Sequence, residues 1–135
     1  MAGYSATPLW KKLGFTNGIR AWVTGAPGYY AKILTLPPEV KVTWLPQAER
    51  GVKFVHVFTA QAAALQKHLA SLRRTIAPDG VVWVSWPKKA SGMPTDITED
   101  TIRKVCLPLG FVDIKVCAVD DTWSGLKLMI RKTER

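Results

Sequence analysis

Residues 53–86 of the chain read KFVHVFTAQAAALQKHLASLRRTIAPDGVVWVSW. Residues 53–59 are apolar on both faces of an extended chain, which is typical of a parallel strand covered by helices on both sides. Leucines then recur at helical spacing over residues 62–76, and the Pro-Asp-Gly of residues 78–80 ends that helix. Residues 81–86 form the next apolar strand. The stretch therefore predicts a strand–helix–strand unit whose first strand is central in a sheet.

The residues before this unit predict two further strands and two short helices. Thr7 is placed to cap a first helix that ends at Gly14. Residues 19–24 form the first strand, residues 29–36 a short helix and residues 40–44 the second strand. The central unit thus supplies the third and fourth strands.

The residues after the unit predict one more helix and a closing pair of strands. Asp96 and Glu99 form a capping pair for the helix. Residues 111–119 and 126–132 are strands, and the link of residues 120–125 is too short for a crossover helix, so these strands pair antiparallel. The sequence therefore predicts a three-layer α/β sandwich of Rossmann-like build, with a mostly parallel sheet of about six strands and one antiparallel strand near the carboxyl terminus.

The composition predicts a single α/β domain over residues 1–135. Hydrophobic residues make up 47% and charged residues 21%, which is close to the average of folded globular proteins and unlike disordered chains. The formal net charge is +9, from 19 lysines and arginines against 10 acids, and such a field attracts phosphates and other polyanions. The basic residues are scattered along the chain, so a solvated basic surface and a nucleic-acid face both remain open.

Targeting signals and cysteine spacing point to an ordinary intracellular protein. The start of the chain carries Lys11 and Lys12 without an apolar run of signal-peptide length, and no later run is long enough to span a bilayer. We therefore expect a cytoplasmic protein with no membrane partner. Cys106 and Cys117 lie in apolar periodic segments without the close Cys/His spacing of a zinc site, which predicts two buried free thiols and no metal.

The order of helix, strand, glycine-containing loop and closing antiparallel pair resembles class I methyltransferases. Residues 71–80, SLRRTIAPDG, look like the passage into their fifth strand, and the Leu-Gly-Phe of residues 109–111 looks like the start of their sixth. This resemblance implies a reduced methyltransferase-like scaffold in which one strand–helix unit of the first half is missing. It also implies the strand order second, first, third, fourth, sixth, fifth.

A ligand site is expected at the carboxyl edge of the predicted sheet. In open parallel sheets, ligands bind beyond the carboxyl ends of the strands where the strand order reverses, here between the first and third strands. Aromatic and lysine side chains in the loops that reach this edge favour a planar or anionic ligand. The candidate ligand-binding residues are Gly25, Pro27, Gly28, Tyr29, Trp86, Lys88, Lys89, Ser91, Asp121, Trp123, Ser124 and Lys127.

The loop of residues 25–28 falls where a methyltransferase holds S-adenosylmethionine, but it departs from the expected pattern. It has two glycines rather than the three of G-x-G-x-x-G, and a tight strand-to-helix turn explains both without a ligand. The acid that would hold a ribose at the end of the second strand is replaced by Trp44, and Glu49 is the only nearby substitute. We therefore expect no cofactor, with S-adenosylmethionine binding weakly or not at all.

Three further features of the sequence can each be interpreted in two ways. The loop with Lys88 and Lys89 can present amides and ammonium groups to a phosphate, or it is a solvated turn. Residues 120–125 offer carboxylates and hydroxyls that could hold a cation or act as acid and base, or they form a connecting turn. His56 lies between valines in a strand, which favours a hydrogen-bonded core histidine over a functional one. No catalytic residue is assigned.

Five segments of the chain resemble an uncharacterised bacterial family of small proteins, a domain of unknown function. They are Gly3-Tyr4-Ser5, Thr7-Pro8-Leu9, Lys11-Lys12-Leu13-Gly14, residues 85–92 and residues 121–127, with Ala6 where glycine is more usual. The resemblance covers essentially the whole chain and implies a bacterial protein of this size. It implies no activity.

The sequence leaves three functional hypotheses. The first is a non-catalytic or regulatory binding domain on a reduced methyltransferase-like scaffold, with an anionic small molecule or nucleic acid at the carboxyl edge. The second is a small transferase acting on an anionic or nucleic-acid substrate, with Lys88, Lys89 and residues 120–124 at its active edge. The third is a nucleic-acid accessory protein that uses charge and exposed aromatic residues without base specificity.

Overall fold

The computed structural model describes residues 7–135, so Ala6 and the Gly3-Tyr4-Ser5 segment of the family resemblance lie outside the described residues. Within that range no helix has the length and apolar character that a bilayer span requires. The helices are α1 (Leu9–Leu13), α2 (Tyr30–Leu34), α3 (Ala62–Thr75) and α4 (Glu99–Cys106), and the strands are β1 (Ile19–Thr24), β2 (Val42–Trp44), β3 (Phe54–Phe58), β4 (Val81–Pro87), β5 (Phe111–Ala118) and β6 (Trp123–Ile130).

The six strands form one sheet in the order β2-β1-β3-β4-β6-β5. β1 pairs in parallel with β2 and β3, and β3 pairs in parallel with β4. β6 lies between β4 and β5 and is antiparallel to both. The predicted strand order and the predicted antiparallel insertion are both confirmed.

The centre of the sheet is β3, whose five residues are all buried. Val55 and Val57 pack with α3 and α4 on one face, while Phe54 and Phe58 pack with α1 and α2 on the other. Two apolar clusters therefore sandwich the strand, and this explains why its sequence is apolar in both alternating positions.

The loop before α4 corrects the predicted capping pair. Thr98 caps α4 and forms a reciprocal capping box with Thr101. The Asp96 carboxylate instead accepts a hydrogen bond of 2.7 Å from the backbone N–H of Ala62, at the start of α3. The Glu99 carboxylate pairs with Arg103 one turn later. The predicted Asp96 and Glu99 cap is wrong because each acid has a partner elsewhere.

The first helix is tied to the sheet by a buried tryptophan. Pro8, rather than the predicted Thr7, occupies the N-cap position of α1, and Gly14 ends the helix with a φ of 93°. The Trp83 side chain on β4 is fully buried, and its Nε1–H donates to the carbonyl oxygen of Leu13 at 2.8 Å. This hydrogen bond fixes the end of α1 over the middle of β4.

The hairpin between β5 and β6 is shorter than predicted. β6 begins at Trp123, and the turn consists of residues 119–122. The Asp120 carboxylate accepts hydrogen bonds of 2.8 Å from the backbone N–H groups of Thr122 and Trp123, which closes the turn early. Residues 123–125, expected in the link, are therefore the start of β6.

Two other expectations concern α2 and the cysteines. α2 is shorter than the predicted range of residues 29–36, because Thr35 adopts a positive φ of 52° and ends it. Cys106 and Cys117 are buried free thiols, as predicted. Burial raises the pKa of Cys106 to about 11, so its thiol stays protonated at neutral pH.

We expect Trp83→Phe to lower the free energy of unfolding by roughly 2–4 kcal/mol, because it removes buried volume and leaves the Leu13 carbonyl without its donor. Trp22→Phe is the matched control, since Trp22 is partly buried and packs on the core, and its indole donates no hydrogen bond within residues 7–135. Urea unfolding measures both. Equal losses would show that the hydrogen bond to Leu13 contributes nothing.

Candidate functional site

The loops after β1 and β4 meet the hairpin turn at the carboxyl edge of the sheet. Pro87 at the end of β4 lies opposite Trp123 at the start of β6. The backbone N–H of Lys88 donates to the carbonyl oxygen of Thr122 at 2.7 Å. We call this edge the carboxyl rim, and it consists of residues 25–30, 59–61, 88–92 and 119–122.

Gly25 allows the first loop, which follows β1 and consists of residues 25–28, to pack closely against β3. Its φ is 73°, and a Cβ atom placed on it would overlap the carbonyl oxygen of Phe58. Gly28 has no atom of the surrounding structure within 4 Å of such a Cβ. Close backbone approach therefore accounts for the first glycine of the loop without any ligand.

The end of β2 does not supply the acid that a ribose requires. Trp44 lies opposite Ala21, whereas β1 continues to Thr24, so β2 stops short of the rim. The Glu49 carboxylate forms an ion pair of 2.7 Å with Arg20, which lies near the amino end of β1. The only substitute acid expected from the sequence is thus held away from the rim.

A hydrogen bond links the first loop to the hairpin turn. The Tyr29 hydroxyl donates to Oδ2 of Asp120 at 2.7 Å. Because β3 and β4 lie between β1 and β6 in the sheet, this contact crosses the carboxyl ends of both. Burial and the adjacent Asp120 carboxylate raise the pKa of Tyr29, which keeps the hydroxyl protonated as a donor. We call this contact the Tyr29–Asp120 bridge.

Aromatic rings fill the α2 side of the sheet below the bridge. The Phe58 ring stacks on His56 at 4.2 Å between centroids and meets Trp123 edge-on at 5.1 Å. Trp123 is only 9% exposed, and Trp86 on the opposite face is 7% exposed. Both candidate tryptophans are therefore packed mainly against the protein.

His56 is the middle of a buried hydrogen-bonded chain. Its Nδ1 lies 2.8 Å from the Tyr30 hydroxyl, and its Nε2 lies 2.8 Å from the Ser85 hydroxyl. Burial lowers the pKa of His56 to about 3, so the imidazole is neutral at pH 7. The predicted hydrogen-bonded core histidine is confirmed. Its two partners were missed, because their proximity depends on the pairing of β3 with β4 and on the position of α2.

The loop after β4 presents two lysines. Ser91 shapes this loop, since its hydroxyl donates to the carbonyl oxygen of Lys88 at 2.6 Å and accepts from the backbone N–H of Met93. Lys89 is exposed and Lys88 is half-buried. Across residues 7–135, neither ammonium group has a carboxylate within ion-pair distance.

The other candidate residues of the hairpin divide between the turn and β6. Asp121 is exposed in the turn, and Ser124 lies opposite Trp86 near the end of β4. Lys127 lies opposite Trp83 in the middle of β4, below the rim. The early start of β6 is the reason, because it moves residues 123–125 from the predicted link into the sheet and so takes Lys127 further from the rim.

A cavity of about 490 Å³ lies between the end of β4 and the start of α4. Trp86, Lys89 and Arg103 line part of it. The Arg103 guanidinium already contacts the carboxylates of Glu99, Asp100 and Asp113 at 2.9–3.1 Å, and these hydrogen bonds raise its pKa. The charge of Arg103 is thus compensated within the protein. In the part of the chain described, no cluster of three or more potential metal ligands occurs.

Comparison with known proteins identifies the class of fold. No protein-family model and no curated protein matches the sequence. Among solved structures, a SAM-dependent methyltransferase from Aquifex aeolicus is 16% identical with a TM-score of 0.65, and the match covers 90% of this chain and 87% of that one.

Two further solved structures have a similar fold. A putative type 11 methyltransferase from Sulfolobus solfataricus is 15% identical, with coverage of 87% and 86% and a TM-score of 0.57. Aeropyrum pernix fibrillarin, in complex with natively bound S-adenosyl-L-methionine, is 13% identical, with coverage of 91% and 69% and a TM-score of 0.58. The chain therefore has a class I methyltransferase-like α/β fold, as predicted.

The rim residues of this chain lack the features that the sequence pattern associates with S-adenosylmethionine binding. Gly25 is closed in by the Phe58 carbonyl, the end of β2 offers no carboxylate, and the Tyr29–Asp120 bridge crosses the strand ends. The departures seen in the sequence thus have structural counterparts, and the bridge adds one that the sequence did not reveal.

We expect the stability of the protein to fall below pH 6.5 because of His56. Its pKa is lowered from 6.5 in the unfolded chain to about 3, so stability is complete above pH 6.5 and is lost as the pH falls toward 3. From pH 7 to pH 4.5 this loss is roughly 2–3 kcal/mol. Urea unfolding of wild type and His56→Gln over this range isolates it, because the variant lacks the slope. An NMR titration with a His56 midpoint near 6.5 would contradict the account.

Proposed function

We propose that this chain is a non-catalytic binding domain on a reduced methyltransferase-like scaffold and that it takes an anionic ligand at the carboxyl rim. The observation that carries the proposal is the Tyr29–Asp120 bridge. It crosses the rim at the place where the strand order reverses, which is where a ligand of an open α/β sheet ordinarily binds.

The cost of displacing rim contacts argues against a bound nucleoside cofactor. A hydrogen bond to a charged group contributes about 1.5–3 kcal/mol, and entry of a cofactor would break the one between Tyr29 and Asp120. Asp120 would then lose one of the three hydrogen bonds that its carboxylate accepts. A ribose at the end of β2 would also find Trp44 in place of a carboxylate. These effects act together to weaken cofactor binding.

The charge at the rim supports an anionic ligand. Lys88 and Lys89 lie on a loop fixed by the Thr122 carbonyl and the Ser91 hydroxyl, and their ammonium groups have no carboxylate partner among the described residues. The net charge of +9 adds long-range attraction of the same sign. A ligand that carries phosphate or carboxylate groups would satisfy both lysines.

A small methyltransferase is the second candidate function. The fold likeness to methyltransferases favours it, as does the natively bound S-adenosyl-L-methionine of the fibrillarin relative in structure. On this alternative the Tyr29–Asp120 bridge would open when the cofactor binds.

We expect S-adenosylmethionine to bind more weakly than a dissociation constant of about 1 mM, because the rim lacks its carboxylate and is crossed by the bridge. Isothermal titration calorimetry with the full chain measures this. A dissociation constant in the low micromolar range, about −8 kcal/mol, would favour the methyltransferase alternative and overturn the proposal.

We expect the double variant Lys88→Ala with Lys89→Ala to bind nucleotides and oligonucleotides more weakly than wild type. Its affinity should also depend less steeply on salt concentration. Two lysines that contact two phosphates account for a slope of about −1.4 to −1.8 in log affinity against log salt. A salt titration against a labelled oligonucleotide and a panel of nucleotides measures the change. The control is Lys67→Ala with Lys104→Ala, which removes the same charge from exposed positions on α3 and α4. If the two double variants behave alike, Lys88 and Lys89 are only a solvated turn.

A further inference from the structure

The face of β5 and β6 on the α1 side of the sheet carries a group of lysines that the rim does not include. Lys127 on β6 lies opposite Trp83 on one side and opposite Lys115 on the other. Residues opposite each other in a sheet point to the same face, and Trp83 points toward α1 because it donates to Leu13. The two lysine side chains therefore stand side by side on the α1 face.

Lys88 approaches the same region from the end of β4. It follows Pro87, which lies opposite Trp123 at the start of β6, and its backbone N–H donates to the carbonyl oxygen of Thr122. Cys117 lies two residues after Lys115, so it faces the same side. Burial raises the pKa of the Cys117 thiol, while lysine charges that include those of Lys115 and Lys88 oppose that rise. We call Lys88, Lys115 and Lys127 the lysine face.

The lysine face is not neutralised by the carboxylates that the structure describes. The ion-paired acids have partners elsewhere: Glu49 with Arg20, Asp79 with Lys53, the acids around Arg103, and Glu134 with Arg73 and Arg131. Asp120 is held by the bridge and by the turn. Burial lowers the pKa of Lys127, and the charge of Lys115 lowers it further, as expected for like charges in direct opposition.

This arrangement works against stability, since like charges directly opposite on neighbouring strands destabilise a sheet. An anionic ligand would relieve the repulsion.

The lysine face extends along β6 for a distance that the strand pairing gives. Lys88 follows Pro87, which lies opposite Trp123, and Lys127 lies four residues after Trp123 on β6 (127 − 123). At about 3.4 Å per residue, the backbone positions span about 14 Å. A chain of phosphates matches this length better than a single group.

We propose that the lysine face binds consecutive phosphate groups of a nucleic-acid strand, continuing from the anion site at the rim. This inference rests on the proposed function, because Lys88 belongs to both surfaces, and it adds the class of ligand and the path that the ligand takes. The lysines act as point charges on the backbone, so binding is strongly salt-dependent and indifferent to base sequence.

The test compares two ligand sources with the full-length chain. Fluorescence anisotropy follows a labelled 12-nucleotide single-stranded oligonucleotide at 50 mM and 200 mM salt, and ATP at equal phosphate concentration is the competitor. We expect Lys115→Ala with Lys127→Ala to lower the affinity about tenfold at 50 mM salt and to reduce the salt slope by about 1.4. For the control pair Lys67→Ala with Lys104→Ala, we expect the losses of affinity and of salt slope to be less than half as large. ATP competes poorly, because it is too short to span the face.

A second variant and a stability measurement keep folding separate from binding. Lys115→Gln with Lys127→Gln retains polar side chains, and urea unfolding of either double variant should show unchanged or slightly higher stability, since the repulsion is gone. Loss of binding together with loss of stability would overturn the inference. So would oligonucleotide binding that is equal in the Lys115, Lys127 variant and in the control, although the rim proposal would survive that result. Displacement by ATP as effective as by the oligonucleotide would identify a free nucleotide and overturn the nucleic-acid assignment. No binding of any anion by wild type would overturn the proposed function itself.

Discussion

The antiparallel insertion of β6 between β4 and β5 determines which residues meet at the carboxyl rim and on the adjacent face of the sheet. Pairing along its whole length brings the start of β6 to the carboxyl rim and its middle beside β4. The first consequence is a hairpin turn close enough for Asp120 to accept from Tyr29 across two strand ends. The second is the opposition of Lys115 and Lys127. One pairing therefore both places the Tyr29–Asp120 bridge across the carboxyl rim and brings two lysines together, and the proposed function rests on these two features.

Much of the fold could be predicted because it is encoded locally. Apolar periodicity and Gly or Pro stops located each strand and each α-helix of the described part to within a few residues, and the methyltransferase resemblance implied the sheet order that the structure has. One error arose where a long-range partner decided the outcome, and another arose from a local contact within a turn. Asp96 looks like the cap of α4 but bonds the first turn of α3. Residues 120–125 look like a link, because Asp, Thr, Ser and Gly suit turns, but the Asp120 carboxylate closes the turn before Trp123.

Less of the candidate site could be predicted. The meeting of the rim segments follows from the strand directions, and the core role of His56 follows from its apolar neighbours. The Tyr29–Asp120 bridge and the lysine face have no local signal, since each joins residues far apart in sequence through strand order and register. Lys127 was expected at the carboxyl rim because the predicted turn between β5 and β6 was several residues too long. An overlong turn places the residues that follow it too near the edge of the sheet. These contacts depend on the register of the strands, which residue types alone do not determine.

We propose that this methyltransferase-like sheet holds phosphates on its lysines and no nucleoside cofactor at its rim. Amide chemical-shift mapping by NMR distinguishes the two ligands, with the oligonucleotide and S-adenosylhomocysteine added in turn to the labelled chain. We expect the oligonucleotide to shift the amides around Lys88, Lys115 and Lys127, and S-adenosylhomocysteine to leave the amides of Gly25, Ala26 and Gly28 unchanged. Saturable shifts of those three amides and of Trp44 with micromolar S-adenosylhomocysteine, and none on the lysine face, would show that the proposal is wrong.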